Sequence, residues 1–357
     1  MKKIQLILPA IIALVLSMTN LYVHAQETEV RKMTDNEFKE YKEKIGVYEE
    51  GKNYNKIING HGTGLRPPTE EEWKKIREKQ VVFDEYKTKA DGSLPSSFDN
   101  SEFKWFPPVG NQDGEGSCVS WACGYYTKTF QEAYEGDWDL SDCEWTGGYD
   151  GNPEEAYQDK IFSPDFIYHQ VNDGEDAGSF YFDNISLLEN IGCASWEAMP
   201  YDPDDSHSWP SEDAWREAPL YRSETGYQSM SVETDEGIQD LEELIADTSL
   251  AIISIDTGQY ENMTSEDLWT TDNYGNPERN HANTVVGYDD DFGPYEENGE
   301  TRYGAFKVVN SWGIGNWEND DDGFLYISYE CMKQHVNYIF MFIDKIGYNP
   351  EMIAFFP

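Results

Sequence analysis

Two side chains near position 115 could act together as a nucleophile and an oxyanion binder. Apolar residues recur at helical spacing from Gly116 onward, so Cys118 falls in the first turn of a predicted helix. Unpaired amides and the positive helix end stabilise a thiolate there. Gln112, six residues upstream, can place its side-chain amide beside the Cys118 N–H, which gives two donors for a tetrahedral oxyanion. The local sequence fits a small buried cysteine at a helix start equally well.

A possible base and its partner lie far downstream, each at the end of a predicted strand. His281 leads into the β-branched residues 284–288, where the backbone would hold the imidazole in one direction, and it is the best placed of the six histidines. Asn310 ends the predicted strand 305–309 and can accept from an imidazole and fix its tautomer, while Trp312 can screen that bond from water. Taken singly, each cluster also fits a structural role.

In chain order, Gln112, Cys118, His281 and Asn310 resemble the papain family of cysteine peptidases, in the form seen in bacterial and archaeal members. The matching motifs are Gly116-Ser117-Cys118, His281-Ala282 with Val286-Gly287-Tyr288, and Asn310-Ser311-Trp312-Gly313. The resemblance covers about residues 94–345. It implies an α+β, papain-like two-lobe fold, with the active site in the cleft between a helical lobe and an antiparallel β-barrel-like lobe.

The same resemblance implies roles for these residues. Cys118 would attack a peptide carbonyl, His281 would move the proton, Asn310 would orient His281, and Gln112 would stabilise the oxyanion. The substrate-binding residues expected on this basis are Gly178, Ser179, Ala282 and Trp312. Protein or peptide substrates are expected, with no cofactor and no catalytic metal.

The sequence departs from the family pattern at several positions. Val119 replaces the common Trp after the nucleophile, and Glu115 stands where many members have a disulfide cysteine. The Gly-Gly substrate-binding motif is missing, and residues 174–180 are the expected substitute. Two other functions remain open: a transpeptidase that passes the thioester to an amine, and an inactive exported binding module.

The N-terminal quarter of the chain divides into two predicted segments. Lys2, Lys3, an apolar run and small residues before Gln26 are typical of a signal peptide over residues 1–25, so we expect a secreted, extracellular protein. Residues 26–93 are charged and contain two capping boxes, which start at Thr34 and Thr69. We therefore expect a two-helix pro-segment there, followed by the peptidase domain at 94–357.

Within that domain, helical patterns precede strand patterns. A helix is predicted to about Tyr134, an insertion over 135–158, a helix opened by Ser163-Pro164, another over 183–191, and loop over 201–215. One more helical stripe spans 238–245, and strands are predicted at 250–256, 284–288, 305–309, 324–329 and 338–343. This order predicts the helical lobe over about 110–215 and the β lobe over about 225–345.

Composition limits the partners of the protein. The net charge of −43 would repel nucleic acid phosphates, and no stretch after residue 25 is long and apolar enough to span a bilayer, so we expect no nucleic acid partner and no stable membrane association. We also expect a soluble monomer. Five cysteines, an odd count, suggest that one thiol is left out of any disulfide framework; the others could pair in three ways or stay reduced. Glu318, Asp320 and Asp322 have calcium-loop spacing, but an acidic solvated turn is the favoured interpretation.

Overall fold

The computed structural model describes residues 29–85, 94–148, 151–226, 228–275, 278–315 and 321–347. The predicted signal peptide and the predicted boundary at 91–93 lie outside these ranges. Among the described residues, no helix is long and apolar enough to cross a membrane.

Two capping boxes start the helices of the N-terminal region, as predicted. In each, a threonine oxygen accepts from a backbone N–H three residues on, and a glutamate carboxylate accepts from the threonine N–H. Two strands, which the sequence did not predict, flank these helices and pair with each other. The elements are β1 (Glu29–Lys32), α1 (Asp35–Ile45), α2 (Glu70–Lys79) and β2 (Val81–Glu85).

The helical lobe is built around one long helical segment, α3, that begins at Cys118. It has α-helical ends, Cys118–Ser120 and Thr129–Glu135, and a π-helical middle, Trp121–Lys128. The other helices are α4 (Pro164–Val171), α5 (Tyr181–Asn190) and α6 (Glu212–Glu217). The prediction of loop throughout 201–215 was wrong, because Ser211 caps α6 by accepting from the Ala214 N–H. In its described residues, the predicted insertion contains the short strands β4 (Trp145–Thr146) and β5 (Asn152–Pro153) and a 3₁₀ turn at Glu155–Tyr157.

The β lobe contains most of a ten-stranded mixed sheet in the described residues, and its predicted strands are present. Its further strands are β3 (Ser97–Asp99), β6 (Gln228–Ser231), β7 (Ala251–Ile255), β8 (Leu268–Trp269), β9 (His281–Asp289), β12 (Ala305–Val309), β13 (Phe324–Ser328) and β14 (Tyr338–Met341). The sheet order is β1-β2-β6-β14-β7-β9-β12-β13-β8, with β3 added to β9. A separate hairpin joins β10 (Tyr295–Glu297) to β11 (Glu300–Arg302), and the helices are α7 (Asp235–Ala246) and α8, which is α-helical over Tyr329–Cys331 and π-helical over Met332–Val336.

The N-terminal region is part of the same fold. β2 pairs in parallel with β6, so that Val81 lies opposite Gln228 and the sheet is extended by β2 and β1. Tyr41 and Trp73 belong to the same buried apolar cluster as Cys118. Residues 29–85 therefore pack against the rest of the chain and have no separate core in the structure.

Candidate active site

His281 and Asn310 meet where two neighbouring strands bring them together. His281 is the first residue of β9, Asn310 follows β12, and these strands pair antiparallel. The His281 Nε2–H donates to Asn310 Oδ1 at 2.9 Å. Asn310 Oδ1 also accepts from Asn283 Nδ2 at 2.9 Å and from the Ser311 N–H at 2.8 Å. The proton therefore sits on Nε2, and the unprotonated Nδ1 makes no hydrogen bond to a described residue.

Cys118 is fully buried at the start of α3. Hydrogen bonds from the backbone of Ala282, Val119 and Leu65 to the sulfur favour the thiolate, but burial outweighs them and raises the pKa of the Cys118 thiol to about 12. Ala282 directly follows His281, so the thiol lies against the strand that carries the candidate base. In this state Cys118 is a neutral thiol.

Gln112 is held in a fixed orientation at the start of the loop 112–117 that precedes Cys118, here named the nucleophile loop. Its Oε1 accepts from Ser311 Oγ at 2.6 Å, and its backbone N–H donates to the Ser311 carbonyl at 2.7 Å. That leaves Nε2 to donate to the Glu115 carbonyl at 2.8 Å and to the Gly62 carbonyl at 3.1 Å. A peptide carbonyl thus already occupies the side-chain donor that was predicted to bind an oxyanion.

Trp312 covers the histidine pair. Its ring centroid lies 5.0 Å from that of His281, at 51° between planes. On the same tryptophan, His61 stacks at 5.0 Å and 15°, and the indole Nε1–H donates to the Gly62 carbonyl at 3.1 Å. Trp312 therefore shields His281 and also holds the N-terminal region.

The predicted substrate-binding residues Gly178 and Ser179 contact backbone rather than open solvent. The Ser179 N–H donates to the Gly64 carbonyl at 2.8 Å, and the Arg66 N–H donates to the Ser179 carbonyl at 3.0 Å. Gly178 has φ +94°, and a Cβ on it would lie 2.1 Å from the Gly64 oxygen. Only glycine allows so close an approach.

Residues 61–66, here named the strap, therefore lie against several of the residues predicted for the site. The strap contacts Gln112, Trp312 and Ser179 directly, and the Leu65 N–H donates to the Asn280 carbonyl at 3.1 Å. His281 is fully buried in this arrangement. Burial lowers the pKa of His281 to about 3, with a smaller contribution from nearby His61, while the Asn310 hydrogen bond acts in the opposite direction.

The structure adds residues that the sequence analysis did not identify. Asn283 supports Asn310, and it lies two residues after His281 on the same face of β9, a spacing that could have indicated it. Ser311, noted only as part of a motif, orients Gln112. The strap contains two glycines, Gly62 and Gly64, but nothing local in its sequence indicates where it lies.

All five cysteines are free and buried, so the structure contains none of the possible disulfide pairings. Burial raises the pKa of the thiols of Cys123, Cys143, Cys193 and Cys331. Of the calcium-loop candidates, Glu318 and Asp320 lie outside the described residues, and Asp322 Oδ1 accepts from the Phe324 N–H.

Comparison with known proteins identifies the fold as that of the papain-like cysteine proteases. No family model and no curated protein matches the chain. Among solved structures, xylellain, a cysteine protease from Xylella fastidiosa, is similar at a TM-score of 0.52 and 19% identity, over 72% of this chain and 90% of its own. Digestive procathepsins L2 and L 3 from Tenebrio molitor larval midgut are similar at TM-scores of 0.51 and 0.50 and identities of 17% and 14%. Each of these two matches covers 94% of this chain, with 89% and 88% of the procathepsin chains covered. The predicted α+β two-lobe fold is confirmed.

Proposed function

We propose that this chain is a secreted cysteine peptidase, made as a latent precursor, that hydrolyses peptide bonds through Cys118, His281 and Asn310. The observation that carries the proposal is the hydrogen bond from His281 Nε2 to Asn310 Oδ1, which leaves Nδ1 without a proton beside the strand residue that contacts Cys118. An imidazole with one nitrogen anchored and the other bare is what a thiol nucleophile needs as its base.

The chemistry follows from these positions. Cys118 Sγ attacks the peptide carbonyl carbon as its proton passes to His281 Nδ1. Gln112 Nε2, together with the Cys118 N–H, donates to the oxyanion. The imidazolium then protonates the leaving amine, and water hydrolyses the remaining thioester, with His281 again as base. Asn310 keeps the ring in one tautomer throughout.

Latency follows from the strap. With residues 61–66 in place, the Gly62 carbonyl takes the Gln112 donor, and burial favours the neutral thiol and the neutral imidazole. The procathepsin matches support a precursor. Residues 94–357 make up about three quarters of the chain, and each match covers 94% of it, so each match must also include most of residues 1–93. We therefore propose that residues 26–93 are an inhibitory pro-segment and that residues 1–25 direct export.

The test is self-processing of protein that begins at Gln26, incubated with reductant at mildly acidic pH and with a denatured protein as substrate. We expect peptide products together with a new N-terminus near residues 90–97. Cys118→Ala should give neither. Cys123→Ala is the matched control, because this buried thiol lies on the same helix and should leave cleavage unchanged. Cleavage by Cys118→Ala would refute the assignment, and amine-capped products in place of free acids would favour the transpeptidase.

A further inference from the structure

Behind the nucleophile loop, three ionisable side chains converge on one buried point. Glu115 lies between Gln112 and Cys118, and Asp165 and His169 project from successive turns of α4. The exposed fractions of the three side chains are 0%, 1% and 2%. His169 Nε2 lies 3.5 Å from Glu115 Oε1 and 3.6 Å from Asp165 Oδ1. We name these three residues the acid–histidine cluster.

The atoms of this cluster that face one another make no hydrogen bond of ordinary length and angle to a described residue. They are Glu115 Oε1 and Oε2, Asp165 Oδ1 and His169 Nε2. The outward atoms, by contrast, are satisfied: His169 Nδ1–H donates to the Ser208 carbonyl at 2.7 Å, and Asp165 Oδ2 accepts from the Asp202 N–H at 2.8 Å. In the neutral ring, the Nδ1 hydrogen bond leaves a lone pair on Nε2 directed at the two carboxylates, which is how metal-binding histidines are held in proteins.

A second pair of buried carboxylates in the same molecule is neutralised by a buried lysine. Glu132 and Asp344 lie on either side of Lys128, whose ammonium is fully buried and ion-paired to both. Among the described residues, no lysine or arginine pairs with Glu115 or Asp165. Two buried carboxylates are costly without a counter-charge, and apart from His169 itself no positively charged side chain of the described residues lies against this pair.

The spacing of the donor atoms fits a zinc ion. Tetrahedral Zn²⁺ with nitrogen and oxygen ligands at about 2.0–2.1 Å places neighbouring ligand atoms about 3.3–3.4 Å apart. The distances of 3.5 and 3.6 Å are close to that value and longer than hydrogen bonds. A histidine nitrogen in the set disfavours Ca²⁺ and Mg²⁺, which bind oxygen.

We propose that Glu115, Asp165 and His169 bind a structural Zn²⁺ ion, with the fourth position left for water. The ion ties the loop before Cys118 to α4. Because the Glu115 carbonyl accepts from Gln112 Nε2, the tie also fixes the oxyanion donor. Glu115 stands where the resembled family commonly has a disulfide cysteine, so a metal link here takes the place of a covalent one.

The proposal is tested by metal content, which does not depend on peptidase activity. Protein from Gln26 carrying Cys118→Ala, which prevents self-cleavage, is stripped with a chelator, titrated with ZnCl₂ and assayed by elemental analysis and calorimetry. We expect one zinc per chain and a rise in Tm of several degrees. Co²⁺ in place of zinc should give the intense visible absorption of a tetrahedral site.

Variants locate the ion. Glu115→Gln and His169→Gln should each lose stoichiometric zinc and the cobalt spectrum, and near-ultraviolet circular dichroism checks that both fold. His207→Gln, which changes an exposed histidine in the neighbouring acidic loop, should retain both signals. Failure of the Cys118→Ala parent to bind zinc, binding of Ca²⁺ alone, or undiminished zinc in folded Glu115→Gln and His169→Gln would overturn the proposal.

Discussion

The two parts of the N-terminal region hold the rest of the chain by different means. The anchor, meaning β1, α1, α2 and β2, docks through large aromatic side chains and a sheet edge. The ring centroids of Tyr41 and Tyr338 lie 5.0 Å apart in an edge-on contact, and those of Trp73 and Phe180 lie 6.4 Å apart. The strap docks mainly through its backbone, with carbonyls and amides bound to Gln112, Trp312 and Ser179. Three of its side chains add contacts: Arg66 pairs with Asp183, Leu65 is buried in the core, and His61 stacks on Trp312.

We expect this difference to separate how tightly the N-terminal region is bound from how completely it blocks the candidate active site. Burial of aromatic surface is worth several kcal/mol and does not depend on the active site. Backbone contacts contribute less binding energy, but under the proposed function they would occupy the positions where a substrate carbonyl binds. The anchor should therefore set how tightly the region is held, and the strap should set how completely the site is blocked.

Removing the main aromatic of the anchor should have the largest effect. Trp73 is 2% exposed and donates through its indole to the Gly46 carbonyl at 2.9 Å, so Trp73→Ala should weaken docking by about 3–5 kcal/mol. We expect the strap to leave the cleft and basal peptidase activity of the unprocessed chain to rise on the order of a hundredfold. Trp209→Ala, which removes a 67% exposed ring, is the control and should stay latent. Unchanged latency in Trp73→Ala would show that the strap stays bound over the site without this contact of the anchor.

A change confined to the strap should release inhibition without undocking the anchor. Gly64 has φ +108°, and a Cβ there would lie 1.9 Å from the Gly116 oxygen, so Gly64→Ala must lift the strap. Gly51→Ala has comparable backbone strain at φ +79° but no atom within 4 Å. We expect basal activity to rise at least tenfold in Gly64→Ala only, with anchor amides still protected from hydrogen exchange. Equal activation by both variants would mean that backbone strain, not the clash, matters.

Acid should open the strap. The pKa of His281 is about 3 when covered and near the ordinary value of 6.5 when open, so the open state binds more protons between these values. The covered state is most stable above pH 6.5 and becomes less stable as the pH falls. The equilibrium constant for opening should rise by up to about tenfold for each pH unit between these two pKa values. Hydrogen exchange of strap amides in Cys118→Ala, followed from pH 7.5 to 4.5, measures this slope. Adding His281→Gln should flatten it; an unchanged slope would assign the effect to His61 or to carboxylates.

The stack of His61 on Trp312 should have the smallest effect. Loss of one aromatic contact costs about 0.5–1.5 kcal/mol, so His61→Ala should raise basal activity by roughly two- to tenfold. His61→Phe keeps a flat ring and should stay close to the parent. Activation by His61→Phe as large as that by His61→Ala would indicate that polar contacts of the imidazole, rather than stacking, hold the strap.

Local patterns predicted the elements that have local causes. Capping at Thr34 and Thr69, the helix that begins at Cys118, and the strands carrying His281 and Asn310 all follow from neighbouring residues. The pairing of β2 with β6 joins residues far apart in sequence, and no pattern within either strand encodes it. The position of the strap and the approach of Glu115 to His169 could not be predicted from local sequence either, because both depend on tertiary packing.

Whether the strap covers a reactive Cys118 is measured by the rate at which a thiol-directed epoxide labels this thiol before and after residues 26–93 are removed. We expect slow labelling of the intact chain at pH 6.5 and labelling at least a hundredfold faster afterwards, with Cys123, Cys143, Cys193 and Cys331 unlabelled in both by peptide mapping. Rapid labelling of Cys118 in the intact chain, or labelling mainly at another cysteine in the processed form, would contradict the proposed latency and the assignment of Cys118 as nucleophile.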